Sequence, residues 1–136
     1  MIRILTDSAS DILPAEAEQL GVTVIPLNVT LEDSTVLRDG VDMTPTEYYG
    51  ILAGCHKLPT TSQPSPELFE NFFTEAAAAG DEVIGIFLSH ELSGTYQCAN
   101  LAAAEADAKV YLIDSETAAQ GEAIIVREAI RLREQG

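Results

Sequence analysis

Basic residues are scarce in this sequence. Seven Lys and Arg stand against 22 Asp and Glu, a formal net charge of −15 at pH 7. Nucleic-acid binding needs a basic footprint that displaces counterions from phosphates, and none is present. An anionic membrane surface repels such a chain, and a polyphosphate ligand meets the same repulsion. A small ligand of low charge, or a basic protein partner, fits the composition.

Cysteine is sparser still. Cys55 and Cys98 form no C-x-x-C pair, and no disulfide is expected of a cytosolic chain. Zinc takes about four N or S ligands. The two cysteines with His56 and His90 supply that number only in composition, because His56 follows Cys55 directly. No metal site or cofactor is expected. Long apolar runs are also missing. None approaches the roughly 18 residues of a membrane span, and the apolar stretch in MIRILTDSASD is too short for a signal peptide. The expected location is the cytoplasm.

What remains is an ordinary globular composition: 136 residues, 46% hydrophobic, enough to bury a real core as one domain over residues 1–136. Ile2 to Leu5 reads as a strand ending in the polar turn TDSASD. Pro14 starts a helix that Gly21 stops. Val22 to Leu31 reads as a second strand, with Pro26 marking an edge or a bulge. Glu32 to Asp42 reads as a polar loop. Thr44, Pro45 and Glu47 make a capping-box helix start, and that short helix ends near Gly54. KLPTTSQPSP reads as loop. Ser65-Pro66 opens a helix whose face is Leu68, Phe69, Phe72, Phe73 and Ala76, with Gly80 ending it. Val83 to Leu88 and Lys109 to Ile113 read as buried parallel strands. Between them lies a helix over Ser93 to Ala106, and a last helix begins at Asp114-Ser115. This alternation predicts an α/β fold, a mostly parallel sheet with helices on both faces.

In such sheets ligands bind beyond the carboxyl ends of the strands. Those ends carry Thr6-Asp7-Ser8, Ser89-His90 with Leu92-Ser93-Gly94-Thr95, and Asp114-Ser115, with no Lys or Arg among them. Ser, Thr and Asp are also the ordinary cap and turn residues. The S-G-T turn says more, because Gly94 bares backbone N–H groups at a helix start, beside two hydroxyls. Without arginines this suits one carboxylate, and the phosphate-loop pattern is absent. A hydrolase reading takes Ser93 or Ser89 as nucleophile, His90 as base and Asp114 or Asp7 as orienting acid. G-x-S-x-G is missing, and such a triad is defined by geometry rather than composition. His90 otherwise reads as a turn residue. Leu68, Phe72, Ile86 and Ala102 read as core before they read as ligand lining.

The stretches ILTDSASD, VIPLNV, LRDGVDMTPTEYY, LPTTSQPSP, L-S-G-T-Y-Q and V-Y-L-I-D-S-E-T-A together resemble the N-terminal domain of the DegV family of bacterial fatty-acid-binding proteins. The resemblance implies a chain that holds one long-chain fatty acid, its carboxylate on hydroxyls and its acyl chain in an apolar tunnel, without chemistry of its own. It places the carboxylate-binding threonine on Thr61 and the serine on Ser93, with Ser62, Gly94 and Thr95 beside them. It further implies presentation of the fatty acid to a kinase subunit related to dihydroxyacetone kinase. Two departures stand out. The chain covers about half the family's usual length, so the second domain that helps close the site is expected from elsewhere, and the chain alone is expected to leave an apolar opening. His90 and Glu91 stand where the family often has a serine or a lysine, and Glu91 adds negative charge near a carboxylate.

Overall fold

The computed structural model describes all residues 1–136. The six residues after Met1 form β1 (Ile2–Asp7), which is paired on both sides over Ile4 to Thr6. Strand β1 lies between β2 (Val22–Ile25) and β6 (Glu82–Phe87), with β7 (Val110–Asp114) outside β6. Every pairing in this four-stranded sheet is parallel, with Ile4 opposite Val22 on one side and Ile84 on the other. The chain leaves β1 toward β2 and leaves β6 toward β7. The crevice where such connections diverge lies at the carboxyl ends of β1 and β6, the usual ligand position in doubly wound sheets.

Helices cover both faces, as the alternation predicts. On one face α3 (Pro66–Ala79) and α4 (Thr95–Ala104) bury Phe69, Phe73, Cys98 and Ala99 against Leu5, Val83 and Phe87. Phe69 meets Phe87 edge to face at 5.6 Å between ring centroids, a geometry that aromatic quadrupoles favour. On the other face α1 (Pro14–Leu20) and α5 (Gln120–Gln135) bury Ala17, Ala123, Val126 and Ile130 against Ile4, Val22 and Ile86. Gly21 and Gly80 end α1 and α3 in the left-handed conformation expected of them.

Several elements differ from the sequence reading. Val22 to Leu31 is not one strand. At Pro26, which has no N–H to donate, the chain leaves the parallel sheet and re-enters as β3 (Asn28–Thr30) of a second, antiparallel sheet. There β3 lies between β4 (Val36–Arg38) and β5 (Thr60–Ser62), two short strands inside segments that read as loop. Three-residue strands are too short to carry an alternation to detect; their pairing with β3 makes them strands. The helix α2 (Pro45–Gly54) starts at the predicted capping box, with Thr44 and Glu47 bonded reciprocally. The last helix begins at Gln120 rather than Asp114, because Asp114 to Ala119 forms turns that return to Phe87 and Ala9. Strand β7 is a half-covered edge and not a buried strand: Val110 and Leu112 pack inward while Tyr111 and Ile113 are exposed.

Candidate functional site at the carboxyl ends of the strands

The site is built where β6 hands the chain to α4. After Phe87 the backbone folds into a tight turn, with the Leu92 and Ser93 N–H groups both donating to the Ser89 carbonyl. Helix α4 then starts at Thr95 with Gly94 as its cap. The Ser93 hydroxyl accepts from the Thr95 N–H at 3.3 Å and shares a hydrogen bond with the Thr95 hydroxyl at 2.9 Å. Thr95 is wholly buried and Ser93 half-buried, so a hidden hydroxyl orients one that reaches solvent. The N–H groups of Gly94, Tyr96 and Gln97 find no acceptor in the protein. These are the orphan donors that give a helix start its affinity for anions.

Strand β5 brings the second half of the predicted set. Thr61 and Ser62 are exposed on it, Thr61 opposite Val29 of β3. The strand runs on into Gln63 and Pro64, which lie against the start of α4. The Cys98 thiol points at the Pro64 carbonyl at 3.9 Å, and a Cβ at position 94 would collide with the Gln63 side-chain oxygen. Gln63 and Pro64, which follow Ser62 in the chain, thus lie at the start of α4. Thr61 lines a groove of about 220 Å³ with Val29, Tyr48 and Tyr49. That groove shares Asp11, Asp39 and Pro45 with a larger one of about 380 Å³ under α1. Gly94 and Gln63 line a separate groove of about 300 Å³ between α3 and α4.

No arginine enters the set. Arg3 pairs with Asp81, Arg38 with Asp42, Arg127 with Glu16 and Arg131 with Glu128, and Arg133 donates to the carbonyls of Leu20 and Gly21. The protonatable neighbour is His90, whose Nδ1 bonds to the Asp114 carboxylate at the end of β7. Burial opposes ionisation of Asp114, but hydrogen bonds from Glu116 and His90 outweigh it and hold the carboxyl below its usual range.

The hydrolase arrangement is not assembled by these bonds. His90 is bonded to Asp114, but Ser93 is bonded to Thr95, and the Ser89 hydroxyl accepts from the Glu91 N–H. Asp7 is wholly buried and accepts from the Leu88 N–H, which ties the end of β1 to that of β6, and from the Ala9 N–H of the turn that follows it. Its role in this structure is architectural.

One buried group escaped the sequence reading. Glu122 is fully buried in the first turn of α5, where its Oε1 accepts from the Thr6 hydroxyl at 3.0 Å while its Oε2 has no donor. Burial first, and then the neighbouring Asp7, push its pKa up to about 10. Glu122 is therefore a neutral acid at pH 7. The available signal was its place on the same helical stripe as Ala123, Val126 and Ile130, a position where a charged residue is out of pattern.

A family model described as "Uncharacterised protein, DegV family" matches residues 1–136. A DegV domain-containing protein of Deinococcus radiodurans is 38% identical over 136 residues, covering 99% of this chain and 48% of that protein. Among solved structures, a fatty-acid-binding DegV family protein from Thermus thermophilus is 40% identical, with a TM-score of 0.88 over 99% of this chain and 48% of its own. A stearic acid-binding protein from Eubacterium ventriosum is 31% identical, with a TM-score of 0.92 over 100% of this chain and 48% of its own. The chain thus spans about half the length of the relatives it matches. With the family model matched from the first residue to the last, this chain belongs to the DegV family.

Proposed function

We propose that this chain binds a long-chain fatty acid. The carboxylate sits on Thr61, Ser62 and Ser93 and on the bared N–H groups at Gly94, with Thr95 acting through Ser93. The acyl chain lies in an apolar tunnel of which this chain forms one wall. The observation that carries the reading is the start of α4, where unpaired N–H groups and hydroxyls converge without a lysine or arginine. Neutral donors of this kind suit a single carboxylate, and a helix start favours an anion by roughly 0.3–1 kcal/mol when exposed. Affinity comes mainly from the chain, since each buried methylene contributes about 0.8 kcal/mol. The fatty acids named for the Thermus and Eubacterium relatives support the same ligand class.

In this reading the protein holds and presents its ligand and is not itself an enzyme. Its partner is a kinase subunit related to dihydroxyacetone kinase, which meets the exposed carboxylate end. Residues 1–136 act as one domain, and a second domain closes the tunnel. Denaturing extraction of the purified protein, followed by mass spectrometry, tests the ligand directly. Near-stoichiometric fatty acid is expected. A folded protein that carries none and takes up none on titration overturns binding by this chain alone and favours a fragment that needs its second domain. Ser93→Ala and Thr61→Ala are each expected to weaken binding about tenfold, the loss of one hydrogen bond to a charged group, with the thermal midpoint nearly unchanged. A melt that collapses in either variant assigns that residue to capping instead.

A further inference from the structure

Strand β7 is a sheet edge without the usual protection. Natural sheets guard their edges with charge, proline, a bulge or a cover. The other edge of this sheet, β2, carries an exposed Thr23 and stops at Pro26. Strand β7 opens with Val110-Tyr111-Leu112-Ile113, which holds no charge and no proline, and its register on β6 is continuous. The Val83 N–H donates to the Lys109 carbonyl and the Ser115 N–H to the Phe87 carbonyl. In a parallel ladder the odd-numbered residues of β7 therefore bond to β6, and the N–H and C=O groups of Val110, Leu112 and Asp114 point outward. The same strand is uncovered on one face. Tyr111 pairs with Ile84 and Ile113 with Ile86, so these four side chains share the face on which α5 lies. Ile86 is buried there with Ala123 and Val126 of α5, but Ile84 is only partly buried and Tyr111 and Ile113 are exposed.

We infer that β7 is a self-association edge, on which a second copy of this chain pairs antiparallel about a two-fold axis at Leu112. The pattern of free backbone groups is its own complement. With Leu112 opposite Leu112, Val110 meets Asp114 of the other copy, and all three outward-facing residues fall in closely hydrogen-bonded pairs. Tyr111 then stands opposite Ile113 of the other copy on the uncovered face. Such aromatic–β-branched pairs stabilise antiparallel strands, and symmetry forms this one twice. The ends match in charge as well: Lys109, at the start of one strand, comes beside the turn of Asp114 and Glu116 at the end of the other. Because the strand itself supplies the matching groups, the apolar pairs and the opposite end charges, the occupant of the edge is a second copy of this chain. Two chains of −15 repel each other, which makes the association weak and strengthens it with salt. The pairing uses no residue of the carboxylate site and does not rest on the fatty-acid reading.

Sedimentation equilibrium of the full chain, at about 0.2 M salt to screen the repulsion, reads the association. The weight-average mass is expected to climb from one chain toward two as protein rises to millimolar concentration. Ile113→Lys puts a charge on the edge, the device that natural edges use, and is expected to raise the dissociation constant about tenfold through the loss of both cross-strand pairs. Val36→Lys, at an exposed apolar position of β4, is expected to leave it unchanged. The register is read by cross-linking Tyr111→Cys and Ile113→Cys proteins, each in a Cys55→Ser background. Opposed residues of a non-hydrogen-bonded pair have Cα atoms about 4.5 Å apart, within reach of a disulfide. Mild oxidation of the mixture is expected to give the mixed dimer, and either variant alone is expected to cross-link poorly. A wild type that stays monomeric at every concentration overturns the pairing. So does a dimer that survives Ile113→Lys, or a Tyr111→Cys protein that cross-links to itself as readily as to Ile113→Cys. Each of these outcomes leaves the fatty-acid reading standing.

Discussion

Glu122 and Asp7 show how one buried side chain sets the behaviour of a whole strand end. Asp7 accepts from two backbone N–H groups, that of Leu88 beyond β6 and that of Ala9 in its own turn, which favours its ionised form. Glu122 has only the Thr6 hydroxyl and an orphan oxygen, so it is the partner that keeps the proton. Its pKa is about 10 in the fold, against 4.5 for the free side chain. Between those values the native state holds a proton that the unfolded state has released. Stability is therefore full below the unfolded pKa and falls as pH rises through that window. Asp7, raised chiefly by burial, adds the same sign just above its own ordinary value. Glu122→Gln keeps an acceptor for Thr6 and a donor toward Asp7 without a proton to lose. Urea midpoints are expected to decline from pH 5 to pH 9 in wild type and stay nearly flat in this variant, so that the gap between them widens toward the alkaline end. Parallel pH profiles would show that the proton on Glu122 does not govern stability.

At the scale of elements, the sheet is held by a close approach between β6 and β7. Gly85 lies opposite Leu112, and a Cβ there would come within 2.8 Å of both Leu112 Cδ2 and Phe87 Cε2. Phe87 is locked against Phe69 and cannot yield freely. Gly85→Ala is expected to destabilise the protein by about 1–3 kcal/mol through overpacking, read as a lower urea midpoint at unchanged slope. A neutral result would mean that the edge strand β7 gives way, in keeping with its one uncovered face. The short strands β3, β4 and β5 work differently. They bury little but hold Thr61 at a fixed register against Val29, which a loop of the same composition does not do.

Across the whole molecule the dominant quantity is the charge of −15. In the proposed reading a fatty-acid anion approaches through a repulsive field, and salt screens that field over about 10 Å at 0.1 M. Raising ionic strength from about 0.02 to 0.2 M is expected to tighten fatty-acid binding several-fold, mainly through the association rate. The reverse trend, weaker binding with salt, would indicate a cation in the site and would point to His90 held by Asp114. The same field selects a basic face on any protein partner.

The sequence by itself determined the layer architecture and most of the helix ends. Buried parallel strands, 3.6-residue apolar stripes, a capping box and glycine stops are local patterns, and local patterns are legible without a fold. Its motifs also identified Ser93 and Thr61 as a pair to consider. Only the tertiary structure decided what depends on long-range pairing. Pro26 became a passage between two sheets, Thr60 to Ser62 a strand, Tyr111 and Ile113 an open edge, and the last helix began six residues late. Asp7 came to accept from the Ala9 and Leu88 N–H groups and the Ser89 hydroxyl from that of Glu91. Glu122 acquired its proton from burial across 116 residues of chain, and Gln63 and Pro64 their place at the start of α4. These are contacts between residues far apart in sequence, and their energies exist only once the chain has brought them together.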